Sequence, residues 1–244
     1  MSAATEEPFV HVPATGRTYT ARRRVRLADM AHDGRVRLDA LARYLQDVAI
    51  EDVQETGWGL PDHLWFIRRI WLAIEAPFVG DRTIDVTTWC SGLAAIAAGR
   101  RWSLTGDAGG RMEVDSVWIH LGADARPARL EHFGAYAEAA GGRHVSTKLE
   151  LPDVPAGAAR VPWPLRATDI DLHGHVNNAV YWQAVEHRLA LAGADLCRAL
   201  GARLDYGDPL SLSDAVELGE WRSGGRYDVA FLVGGRTKAF ASLG

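Results

Sequence analysis

Between Arg37 and Gly57 apolar residues recur every three or four positions. Leu38, Leu41, Leu45, Val48, Ala49 and Val53 fall on one face, which predicts an amphipathic helix stopped near Gly57. Before it, the run Arg22-Arg23-Arg24-Val25-Arg26 alternates as a strand does, with a solvated basic face. After it the period shortens. "HLWFIRRIWLAIEA", "DRTIDVTTWCSG", "AAGRRWSLTG" and "GRMEVDSVWIHLG" read as strands, the last two joined by the hairpin turn "GDAGG".

The stretch 138–160, rich in Gly, Pro and Ala and weak in periodicity, reads as a linker. The order then repeats. "RVPWPLRATDI" reads as a strand, and 178–192 as a helix with Tyr181, Val185 and Leu189 on one face. "DAVELGEWRSG", "RYDVAFLVGG" and "RTKAFASLG" read as returning strands. "DGRV" at Asp33–Val36 lies over "HGHV" at His173–Val176, Gly34 and Gly174 being 140 positions apart. "TWCSG" at Thr88–Gly92 lies over "EWRSG" at Glu220–Gly224, and Pro77 over Pro209, both at an offset of 132. These matches point to a duplicated α+β unit. They predict two antiparallel sheets, each wrapped around its own helix and paired edge to edge into one continuous sheet. The expected organisation is 1–137, a linker 138–160, and 161–244.

The chain is 244 residues long, 48% hydrophobic and 24% charged, as globular proteins are. Its formal charge of −4 gives no electrostatic reason to expect nucleic acid. Two cysteines, Cys90 and Cys197, make no disulfide framework and fit a reducing cytoplasm. The N-terminus lacks the apolar core of a signal peptide, and no apolar run approaches the length that crosses a membrane. Nine tryptophans suit a thick core or an apolar ligand cavity.

The chemistry-bearing stretch is "TDIDLHGHVNNAVYWQAVEH", Thr168 to His187. Asp171, His173 and His175 stand at two-residue spacing, which in an extended strand puts all three on one side. Histidine suits a general base near neutral pH, and a neighbouring acid fixes its tautomer. The helix that follows aims its free N–H groups and positive dipole end at the same place, a seat for an oxygen that carries or develops negative charge. Asn177 or Asn178 is suited to capping that helix, with a second reading as a substrate or water ligand. In the first copy Ala31 and Arg35 stand at the places of Asp171 and His175, so that copy cannot run this chemistry. His63, His120, His132 and His144 show no metal-ligand spacing. "GLAAIAAGR" lacks the ending of a phosphate loop, and there is no G-x-S-x-G elbow.

The same segments resemble the acyl-ACP thioesterases, which carry tandem hotdog domains. "LDALARYLQDVAIEDVQETG" resembles that family's first hotdog helix. "WFIRRIWLAIEAPFVGDRTIDVTTWCSG" and "GRRWSLTGDAGGRMEVDSVWIHLGADARPARL" resemble its strands, "DIDLHGHVNNAVYW" its D-x-N-x-H-V-N-N signature, and "LDYGDPL" its acidic Y-R-R-E-C segment. The resemblance implies catalytic roles for Asp171 and His175. His173 stands where the family has a catalytic Asn, Asp208 where it has a Glu, and Pro209 where it has a Cys once proposed as nucleophile, which excludes a Cys nucleophile there. Asn177 and Asn178 match the paired Asn. The family's first hotdog lines the acyl tunnel, which makes Trp65, Trp71 and Trp89 candidate lining residues. The expected activity is hydrolysis of a fatty acyl chain from acyl carrier protein, with no metal or other cofactor, by a monomer or homodimer. An acyl-CoA thioesterase and a non-catalytic acyl-thioester-binding protein are the alternatives.

Overall fold

The computed structural model describes residues 9–57, 64–122, 124, 126–131, 133–149 and 151–244, so His63 and His132 lie outside it. The N-terminal half holds β1 (Thr18–Arg24), α1 (Leu38–Glu55), β2 (Leu64–Ala76), β3 (Thr83–Ala94), β4 (Ala97–Gly106), β5 (Arg111–Leu121) and a short α2 (Gly134–Ala140). The C-terminal half holds β6 (Ala159–Pro162), α3 (Asn178–Leu191), β7 (Leu200–Tyr206), β8 (Val216–Ser223), β9 (Arg226–Val233) and β10 (Arg236–Leu243). All ten strands join one antiparallel sheet in the order β1-β3-β4-β5-β2-β7-β10-β9-β8-β6. Read from either edge, the order of repeat-equivalent strands is the same. The expected α+β arrangement, two sheet-and-helix units in one continuous sheet, is observed.

The seam is the β2–β7 pair, where Ile70 faces Leu204 and Trp71 faces Arg203. Trp71 and Arg203 are 132 positions apart, so Trp71 meets its own counterpart and the seam carries a pseudo-two-fold axis. Ile70, Leu72, Ile74, Ala202 and Leu204 point into a core shared with both long helices. On α1 the buried stripe is Leu38, Leu41, Leu45 and Val48, as the periodicity predicts. On α3 the buried set is wider, with Trp182 joining Tyr181, Val185 and Leu189. A helix covered on more than one side needs no clean polar face.

The structure adds one strand, shortens another and shows how the linker packs. β7 is a further strand, its inner row being Leu200, Ala202, Leu204 and Tyr206. The strand expected over "RVPWPLRATDI" is only Ala159–Pro162, at the sheet edge. Pro162 and Pro164 lack the N–H that would extend the ladder. The Gly- and Pro-rich segment packs along the sheet it crosses. His144 bridges Leu93, Val145 packs on Gly92 and Gly99, Leu151 on Gly207, and Val154 on Gly219. A Cβ on Gly207 would lie 2.5 Å from Leu151 Cδ1, so the bare glycine makes room for the strap.

Candidate active site

Each long helix is entered through the same local structure. In the N-terminal unit a 3-10 turn at Leu27–Asp29 is closed by the Asp29 carboxylate on the Arg26 N–H, and Met30 bridges Val36. In the C-terminal unit the turn at Ala167–Asp169 is closed by Asp169 on the Arg166 N–H, and Ile170 bridges Val176. Gly34 and Gly174 both take positive φ, +83° and +78°. Val36 N–H donates to Phe78 O at 2.9 Å, and Val176 N–H to Leu210 O at 2.8 Å. That last bond sets the His175 turn directly against the loop that carries Asp208 and Pro209.

The Asp171–His175 segment is a tight turn, not the extended strand expected from its spacing. Asp171 N–H donates to His175 O at 2.8 Å, and Gly174 N–H to Asp171 O at 3.0 Å. The Asp171 carboxylate accepts from the backbone N–H of His173 at 2.8 Å and of His175 at 3.3 Å. It therefore holds the turn's backbone. Both imidazoles are exposed. Asn177 caps α3, its Oδ1 accepting from Ala179 N–H at 2.9 Å. The first helical N–H, that of Asn178, has no acceptor among the described residues. Asp208 is exposed and accepts from Lys238 Nζ at 2.7 Å.

Beneath the turn lies an aromatic floor that the sequence pattern did not single out as part of a site. Tyr181 packs on Tyr206 at 5.2 Å and on Phe231 at 5.0 Å between ring centroids. Burial pushes both phenols well above their ordinary range. Tyr206 donates from its hydroxyl to Asn178 O at 3.4 Å. The N-terminal unit contributes Arg68, at a bulge of β2. Its Nη1 donates to Tyr206 O at 3.2 Å and Gly207 O at 3.1 Å, fixing the Asp208 loop from across the seam. Burial lowers this guanidinium's pKa.

The corresponding place in the N-terminal unit is filled by an ion network. Arg35, at the position of His175, is 5% exposed. It donates to Asp33 at 3.1 Å and, through Nη2, to Glu186 Oε1 at 2.8 Å. Glu186 belongs to α3, and its Oε2 accepts from the Leu38 N–H at 2.6 Å. Leu38 is the counterpart of Asn178. One helix start thus holds an internal carboxylate, and the other leaves its first N–H open. A small cavity lies beside Arg35, lined by Leu41, Phe78, Leu196 and Leu200.

The tryptophans divide. Trp65 lies at the start of β2 against His120, 5.2 Å between ring centroids, and Phe133, 6.0 Å. Trp71 and Trp89 alternate with the core-facing residues of β2 and β3 and occupy the other face of the sheet. There Arg69 and Arg203 stack on Trp71, and Arg101 stacks on Trp89. Both rings thus lie on the row opposite the residues that pack on the helices. Cys90 is buried, and burial pushes its thiol up to about 11. Among the described residues no group of three or more His, Cys, Asp or Glu could hold a metal ion. None of the helices described is long and apolar enough to cross a membrane.

Residues 16–131 match the family model for the acyl-ACP thioesterase N-terminal domain, and residues 156–228 that for the C-terminal domain. An uncharacterized Mycobacterium tuberculosis protein is 28% identical over 241 residues, covering 96% of this chain and 95% of its own. A putative oleoyl thioesterase from Lactobacillus plantarum superposes with a TM-score of 0.77 at 15% identity, over 96% of this chain and 97% of the other. The 12:0-ACP thioesterase from Umbellularia californica superposes at 0.73 and 16% identity, over 93% and 96%.

Proposed function

Because this chain belongs to the acyl-ACP thioesterase family and is a thioester hydrolase of tandem hotdog fold, we propose that its substrate is a fatty acyl chain on acyl carrier protein. The products are free fatty acid and the carrier's thiol. The C-terminal unit, 161–244, performs the chemistry. The N-terminal unit, 1–137, contributes the acyl pocket, with Trp65 as a lining residue.

His175 takes a proton from water, whose oxygen attacks the thioester carbonyl carbon. The developing oxyanion is held at the start of α3 by the Asn178 N–H and the helix dipole. As the C–S bond breaks, the imidazolium returns the proton to the departing thiolate. Asp171 fixes the turn and places negative charge beside the imidazolium. His173 and Asp208 orient water from the rim.

The contrast between the two helix starts carries this reading. Where Arg35 stands, a carboxylate already occupies the N–H of Leu38. Where His175 stands, the equivalent N–H is open to a substrate oxygen. The test is thiol release from matched acyl-ACP and acyl-CoA across chain lengths, for the wild type and His175→Ala. The expectation is higher kcat/KM on acyl-ACP and a loss of roughly 10²–10⁴-fold in the variant. Preference for acyl-CoA overturns the carrier, and wild-type turnover by the variant overturns the site.

A further inference from the structure

The packing of the two helices identifies another group within reach of the thioester. Glu186 projects from α3 onto the start of α1, with Oε2 at 2.6 Å from the Leu38 nitrogen. The repeat relates α1 to α3 by 140 positions, so Leu38 corresponds to Asn178 and Glu186 to Gln46. Under the pseudo-two-fold axis at the seam, Gln46 holds the position relative to Asn178 that Glu186 holds relative to Leu38. Helical spacing agrees. Gln46 follows Asp39 and Arg43 on the side of α1 that meets α3, where Asp39 accepts from Gln183 Nε2 at 2.9 Å. Gln46 is partly buried at this junction.

We infer that Gln46 contacts the substrate, its side-chain amide donating to the thioester carbonyl oxygen together with the Asn178 N–H. The inference rests on the His175 site proposed above. The chemistry of the two counterparts explains their difference. A carboxylate only accepts, and at position 186 it satisfies the N–H of Leu38 and closes that helix start. An amide carries no charge and, besides an acceptor oxygen, two donors that a carboxylate lacks. At position 46 it leaves the Asn178 N–H free and adds a second donor where negative charge develops. A glutamate there would reproduce the closed arrangement of the N-terminal unit.

The test uses the full chain with Gln46→Met, Gln46→Glu and His175→Ala, assayed by thiol release from one acyl-ACP. Circular dichroism confirms that each variant is folded. Gln46→Met keeps the side chain's length without its donors, and is expected to lower kcat on the order of 10²–10³-fold with little change in KM. Gln46→Glu is expected to be as impaired at pH 8 and to recover relative to wild type as the pH falls and its carboxyl takes up a proton. If both Gln46 variants keep wild-type kcat while His175→Ala is inactive, the role of Gln46 is overturned and the site stands. If Gln46→Glu is active at pH 8, the donor role is overturned. Wild-type kinetics in all three variants removes the His175 site, and the inference with it.

Discussion

Arg35 and Glu186 form a buried ion pair, 2.8 Å between Nη2 and Oε1, that ties the helix entry of one unit to the helix of the other. Glu186 and Asp33 raise the Arg35 pKa against the opposing effect of burial. Removing one partner leaves a buried charge unmatched, which costs about 3–5 kcal/mol. Arg35→Met should therefore lower the denaturation midpoint strongly. The double variant Arg35→Met/Glu186→Leu should recover part of that loss, because the buried Glu186 carboxylate is gone and the charge left over is that of the more exposed Asp33. A double variant as unstable as the sum of the singles would show that the two do not act as a pair.

The paired glycines separate stability from activity. Gly34 and Gly174 have φ of +83° and +78°, and a Cβ at either would meet nothing within 4 Å. The cost of alanine is then purely conformational, about 1–2 kcal/mol at each site. Gly34→Ala and Gly174→Ala should melt at similar temperatures. Only the second should lose turnover, because only its turn carries His175. Equal kcat values for the two variants would separate the His175 turn from catalysis.

Asp208 tests the acidic rim. Its ion pair with Lys238 is solvent-exposed on the acid's side, and such pairs contribute about 1 kcal/mol or less. Asp208→Asn should leave the melting temperature nearly unchanged and lower kcat about tenfold or more. Retention of full kcat would take Asp208 out of the mechanism.

Acid sensitivity should trace to Asp39. Burial pushes its carboxyl up, but Arg37, Arg43 and Gln183 outweigh burial and hold it at about 2, against an ordinary 3.8. A folded-state value below the unfolded one contributes stability above about pH 4, and this is lost as the pH falls through about 2. A shift of that size corresponds to about 2.5 kcal/mol. Urea denaturation between pH 5 and pH 2 should show the decline in the wild type and a shallower one in Asp39→Asn. Parallel curves would assign the acid transition to other carboxylates.

The α1 helix was legible because its burial is one-sided. The α1 stripe, the β4–β5 hairpin around "GDAGG" and the duplication all follow from spacing alone. β7 was passed over although Leu200, Ala202, Leu204 and Tyr206 alternate with Gly201, Arg203 and Asp205, because the run is only seven residues long and leads straight into the turn at Gly207–Pro209. The Asp171–His175 turn was misread because two-residue spacing has no handedness of its own. Only the bonds of Asp171 to the N–H groups of His173 and His175 reveal the curl. Glu186 and Arg68 left no local signal, since their partners lie across a helix pair or across the seam. The repeat offset was the one clue, and it becomes informative only once α1 is known to touch α3.

The seam between β2 and β7 has a genetic corollary. When two copies of a unit come from identical subunits, every residue appears on both sides of the axis, so a position cannot be arginine in one copy and histidine in the other. Joining the copies in one polypeptide removes that constraint. It also keeps each half at high effective concentration for its mate, so dilution cannot exchange one for another. Position 35 could then be committed to holding the helices together while position 175 was left open to solvent.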